Sequence, residues 1–166
     1  TNAPLILEHA RTGCDLIIST GMSTIDEIEA ALSVVAFGYI FDKNKIPTNE
    51  SLKDAFRSTE GKNLLEKRVT LLHCTTEYPA PFEDINLKAM SHIERTFKLP
   101  VGYSDHSKGI AVPVAAVALG AVLIEKHFTL DKDMDGPDHK ASLNPNELKQ
   151  MMESIRQVEQ SLGDGV

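Results

Sequence analysis

With 166 residues, 42% hydrophobic and 25% charged, the chain is long enough for one soluble domain with a real core. A formal net charge of -7 and the lack of a basic stripe exclude nucleic acid as the expected partner, while leaving room for a small anionic ligand, because a site depends on its local field. No apolar stretch approaches the ~20 residues that span a bilayer, and TNAPLILEHARTG lacks the charged start and long apolar run of a signal peptide, so no membrane partner and a cytoplasmic location are expected.

The pattern alternates along the chain. PLILEHARTG reads as a helix ending at Gly13, and DLIIST (15–20) as a short β-rich run. The next helix starts at Ser23 and carries Ile25, Ile28, Ala31, Leu32 and Val35 at helical spacing; Thr24 and Glu27 have the spacing of a capping box. Residues 38–68 exceed an ordinary αβ connection. They are expected to be an insertion at the amino-terminal face, with NESLKDAFRS and EGKNLLEKR as two short helices and a solvated or oligomer-contact role. VTLLHC (69–74) is the second strand, FEDINLKAMSHIERTF (82–97) a helix, PVGYSDH (100–106) the third strand, GIAVPVAAVALG a helix and VLIEKHFT (122–129) the fourth strand. In the last helix Asn144 is the cap, Pro145 sits at N1, Glu147 at N3, and Gly163 is the stop.

Four strand–helix units in alternation imply a parallel sheet with right-handed crossovers. The strands are short and nearly continuously apolar, as in sheets covered on both faces. No GxGxxG follows a strand, which argues against a dinucleotide fold and for a TIM (β/α)8-type barrel, of which this chain covers about four βα units. In such folds ligands gather at the carboxyl ends of the strands, and the polar clusters STG, HCTTEYP, SDHS and EKHFT lie there.

His106 and His127 end consecutive strands, and adjacent strands lie about 4.8 Å apart, so two imidazoles at one height can meet on a divalent metal. Alternation puts Ser104 and Glu125 on the same faces as these histidines and turns Asp105 and Lys126 away. Glu125 is read either as an orienter of a histidine or as an interior charge paired with a lysine. Ser104 and Ser19 have hydroxyls to offer an anion, or are simply small residues at a crowded barrel end. Tyr78, in a loop stiffened by Pro79 and Pro81, is a candidate ligand wall. DKDMDGPDHKASLNP superficially resembles a calcium loop, but Ser142 stands where an EF-hand needs glutamate; a catalytic or substrate-binding loop fits better. Cys14 and Cys74 form no CxxC pair and read as small buried hydrophobes in a reducing compartment.

LLHCTTEYPAPFEDINLKAM, GYSDHSKGIAVPVAAVALGA, VLIEKHFTLDKDMDGPDHKASLNPNEL and IISTGMST together resemble the sialic acid synthase family, the N-acetylneuraminate synthases and their legionaminate and pseudaminate relatives. The likeness spans the chain outside residues 38–68. It implies condensation of phosphoenolpyruvate with N-acetylmannosamine or a related N-acetyl amino sugar, with release of phosphate. By motif match it implies that His106 and His127 hold a divalent ion, manganese first with magnesium or cobalt as alternatives. Ser19 and Ser104 match positions that contact phosphoenolpyruvate, Tyr78 lies beside the same ligand, and Asp138 matches an acid near sugar and metal; Asp138 and Glu125 are the candidate catalytic acids. Thr76 stands where some members carry a phosphoenolpyruvate-contacting asparagine, and it donates with shorter reach.

The resemblance covers the carboxyl half of a barrel. The family's amino-half glutamates and phosphate-binding lysines, and its antifreeze-like domain, have no counterpart in these 166 residues. The chain, which lacks an initiator methionine, is therefore expected to be a piece of a longer protein, to pair with a complementing barrel half, or to close as a homo-oligomer. Alone it is expected to bind metal weakly and not to turn over. Two other readings stand beside this one: another metal-dependent phosphoenolpyruvate-condensing synthase or aldolase, and a non-catalytic half-barrel module that acts by assembly.

Overall fold

The computed structural model describes residues 2–165. Four strands, β1 (Leu16–Ser19), β2 (Val69–Cys74), β3 (Val101–Asp105) and β4 (Ile124–Lys126), form one sheet in the order β1-β2-β3-β4. Every pairing is parallel, so each strand returns through helices: α2 (Ile25–Ile40), α3 (Asn49–Arg57) and α4 (Thr59–Arg68) after β1, α5 (Lys88–Phe97) after β2, and α6 (Ala111–Ala118) after β3. Helix α1 (Ala3–Arg11) precedes β1 and α7 (Pro145–Ser161) closes the chain.

Side-chain alternation gives the sheet two different faces. Leu16, Ile18, Val69, Leu71, Val101, Tyr103 and Ile124 point under the helices and join the main core with Leu32, Val35 and Phe37 of α2 and Met90 and Ile93 of α5. The opposite face carries Ile17, Ser19, Leu72, Cys74, Gly102, Ser104 and Glu125, and its polar members rise toward the strand carboxyl ends. A smaller core of Val117, Leu143, Met151 and Ile155 seats α7 against α6.

Local chemistry fixes the helix starts. Thr24 and Glu27 form a reciprocal capping box on α2, and Asn144 and Glu147 another on α7, with Pro145 at the first turn. Residues 38–68 do supply two short helices, but they are not a solvated ornament: Ala55 of α3 and Leu65 of α4 are buried in the main core, and α4 runs straight into β2. The expected helix over 82–97 is split. A short 3-10 turn at Phe82–Asp84 is followed by Asn86 at φ 49°, a left-handed conformation that breaks the spiral before α5 begins. Strand β4 is three residues instead of eight, because its ladder with β3 ends at Asp105↔Lys126. Beyond it the chain turns to residue 143: His127 O accepts from Leu143 N, and Phe128 bridges Leu143.

Candidate functional site

The ends of β3 and β4 bring His106 and His127 together, with ring centroids 5.4 Å apart and ring planes at 90°. His106 Nδ1 lies 2.6 Å from the carbonyl oxygen of Thr75. A carbonyl only accepts, so Nδ1 carries the proton, and in the neutral ring Nε2 keeps its lone pair. That lone pair looks toward Ser104 Oγ at 3.4 Å. The Ser104 hydroxyl donates to Glu125 Oε1 at 2.6 Å, so it too offers His106 a lone pair and no proton. Two acceptors facing each other leave a place for a donor or a cation. His127 Nδ1 is 3.9 Å from Asp138 Oδ2, within ion-pair reach when the ring is protonated. The donor chemistry thus fits a divalent cation at His106 and His127: a free imidazole nitrogen, a second imidazole beside it, and a backbone carbonyl that fixes the first ring. Among the described residues no group of three or more His, Cys, Asp or Glu is placed to hold a metal.

The Tyr78 ring covers both histidines, at 4.2 Å from His106 and 5.5 Å from His127 between centroids, as a wall would. Its loop is tied down where Ala80 N donates to His106 O. Further along the mouth, Ser19 Oγ and Cys74 Sγ are 3.0 Å apart. A side chain at Gly21 would stand 2.6 Å from Cys74 Sγ and 2.7 Å from Thr76 Cγ2, so glycine is what lets the β1 end approach β2 this closely. Thr76 is exposed beside that contact.

Behind the histidines, on the helix-facing side, lies a buried ion pair. Lys126 Nζ donates to Asp105 Oδ2 at 2.6 Å and to Ser107 O at 2.7 Å, while Asp105 Oδ1 accepts from Ser107 N at 2.9 Å. The loop after β4 folds on its own hydrogen bonds. Thr129 Oγ1 donates to Asp131 O, so His139 Nδ1, 2.8 Å away, must be the donor to Thr129. Lys132 reaches Glu147 at 2.6 Å and holds the loop to the start of α7. That hydrogen bond, with the Asn144 backbone N–H, keeps the Glu147 carboxyl below its ordinary value.

Sequence reasoning places His106, His127, Ser104, Glu125, Tyr78 and Asp138 in one cluster, and the geometry brings them together. Ser19 and Thr76 flank it on the β1 side. Glu125 does not pair with a lysine; it accepts from Ser104, and Asp105 takes the lysine instead. Cys74 is buried as expected, but Cys14 is exposed, because it lies in the turn between α1 and β1 rather than on the strand. The Thr75 carbonyl and the Cys74 thiol were missed. No side-chain signal marks a backbone carbonyl, whereas Cys74 shares strand parity with Thr76 and was open to detection.

The NeuB family matches residues 1–166, the whole chain. This chain belongs to the NeuB family. An N,N'-diacetyllegionaminic acid synthase of Campylobacter jejuni is 49% identical over 166 residues, covering 100% of this chain and 42% of the relative. The human N-acetylneuraminate-9-phosphate synthase is 37% identical over 163 residues, 98% of this chain and 38% of the human protein. The crystal structure of an N-acetylneuraminic acid synthetase from Leptospira borgpetersenii, in complex with citrate, matches with a TM-score of 0.77 at 33% identity, covering 99% of this chain and 48% of that one. This NeuB chain spans about two fifths of the length of the curated relatives it matches. Its four parallel βα units are the carboxyl half of a TIM-type barrel. Among the described residues no helix is long and apolar enough to cross a membrane.

Proposed function

We propose that the protein to which these four βα units belong condenses phosphoenolpyruvate with N-acetylmannosamine or a related N-acetyl amino sugar and releases phosphate by C–O cleavage. The observation that carries the reading is His106 beside His127, with Nε2 of His106 freed by the Thr75 carbonyl, at the mouth of a NeuB-family half-barrel. The names of the relatives support it, since they are nonulosonic acid synthases.

In this reading His106 and His127 hold a divalent cation, manganese first, with magnesium and cobalt as alternatives. Bound there, the cation supplies Lewis-acid polarisation of a carbonyl oxygen and lowers the pKa of a bound water. The chain's own groups do the rest. Ser19 gives a hydroxyl hydrogen bond to the anionic groups of phosphoenolpyruvate, Thr76 adds another at the same rim, and Ser104 does so when its proton turns from Glu125 to the ligand. Tyr78 walls the cleft and excludes water from the side of the histidines. Asp138, 3.9 Å from His127, is proposed to take or return a proton at a sugar hydroxyl. Glu125 holds the Ser104 hydroxyl in one orientation. The protein is further proposed to act in the cytoplasm, as a homo-oligomer or with a complementing barrel half.

The test is phosphate release from phosphoenolpyruvate by the intact protein. Release is expected to need both an N-acetylated sugar and an added divalent cation, and to fall by about 100-fold or more in His106→Ala. Equal turnover of an unacetylated sugar phosphate, or reversible cleavage with no phosphate released, would move the assignment to another phosphoenolpyruvate-condensing synthase or an aldolase.

A further inference from the structure

We infer that the buried Asp105–Lys126 pair is a positioning device that sets the separation of His106 and His127; the inference rests on the proposed cation site at those histidines. Each member of the pair directly precedes one of the histidines and points to the opposite face of the sheet. Asp105↔Lys126 is also the last register pair of the β3–β4 ladder. His106 and His127 therefore lie one residue past the point where backbone hydrogen bonding holds the two strands together. Their backbone carbonyls turn elsewhere, His106 O to Ala80 N and His127 O to Leu143 N. Directly behind the histidines the two strands are spanned by the ion pair, whose side chains are 0% and 4% exposed.

The arrangement also brackets His106 from both sides along the chain. Asp105 accepts from Ser107 N, and Lys126 donates to Ser107 O, so residues 105 and 107 are both tied to Lys126 while the ring between them points away. A buried ion pair is a poor source of net stability, since desolvation of two charges offsets their attraction. Its short bonds and its place behind two ligands suit geometric control instead, as outer partners of metal ligands commonly provide.

The experiment uses Co(II) as the probe in the intact protein, reading affinity and the visible absorption bands that report its coordination. His106→Ala is the reference for loss of the site. The decisive variant is Asp105→Asn/Lys126→Met, which removes both buried charges at nearly constant volume. It is expected to melt close to the parent yet bind Co(II) about tenfold or more weakly, with shifted absorption bands. Asp105→Asn alone is the second variant, with a loss of affinity at least as large. Parent-like Co(II) affinity and spectrum in a folded double variant overturn the positioning role and leave the cation site standing. If the double variant does not fold, Asp105→Asn decides by the same readings. A parent protein whose Co(II) binding is unchanged by His106→Ala overturns the cation site, and this inference with it.

Discussion

At Gly102 the missing side chain is a structural requirement of the site. A Cβ there would stand 2.5 Å from Leu123 O and 2.7 Å from Leu72 Cδ2. Leu72 is the β2 partner of Gly102 on the face that carries Ser104, while Leu123 leads into β4, so Gly102 sets the close spacing of β3 to both neighbours, including the one that aligns Ser104 with Glu125. Gly102→Ala is expected to lower stability by about 1–3 kcal/mol through overpacking, seen as a lower urea midpoint with an unchanged slope. Ser104→Ala should behave in the opposite way. Glu125 is exposed and will find water when its donor goes, so stability should hold within about 0.5 kcal/mol. If Ser104 contacts phosphoenolpyruvate, KM for that substrate should rise several-fold; steady-state kinetics with unchanged KM would remove it from the binding site.

At the scale of elements, α7 anchors the loop that carries Asp138. Its first turn combines the Asn144–Glu147 capping box with the Lys132–Glu147 bond from the loop, so one carboxylate ties cap and loop together. Asn144→Ala is expected to cost about 1 kcal/mol. The Glu147 carboxyl sits below its ordinary value of 4.5, chiefly through Lys132, so its contribution is fully present above that value and disappears as pH falls through the lower folded one. Denaturation midpoints taken between about pH 6 and pH 3 should show an acid loss that shrinks in Lys132→Met. These caps were legible in the sequence because they are local: Thr24 with Glu27, and Asn144 with Glu147, are three residues apart. The split before α5 was not, since Asn86 adopts φ 49° in a segment whose apolar spacing still reads as one helix. Nor was the length of β4, which is decided by where β3 stops pairing with it and by the return of residue 143. The two histidines were legible because strand ends in an alternating βα pattern must share one rim. Which groups orient them was not, because Thr75 O acts from another strand's loop.

At the scale of the molecule, four parallel strands make an open arc whose polar rim holds both histidines, two serines and a tyrosine. A (β/α)8 barrel draws its catalytic groups from the ends of several different strands. Here the rim offers hydroxyls and imidazoles; Lys126 is committed to Asp105, and Lys108 and Lys140 stand exposed on the loops after β3 and β4. In the proposed reaction the dianionic phosphate needs buried, fixed cations as well as hydroxyls, and the remaining half is proposed to add them. A polypeptide limited to residues 1–166 is accordingly expected to release no measurable phosphate from phosphoenolpyruvate, even with manganese and N-acetylmannosamine present, and to retain a weak Co(II) signal that His106→Ala abolishes. Supplying the amino half of a NeuB-family barrel in trans should restore phosphate release. Turnover by residues 1–166 alone would mean that this rim, in one copy or two, neutralises the phosphate without the amino half.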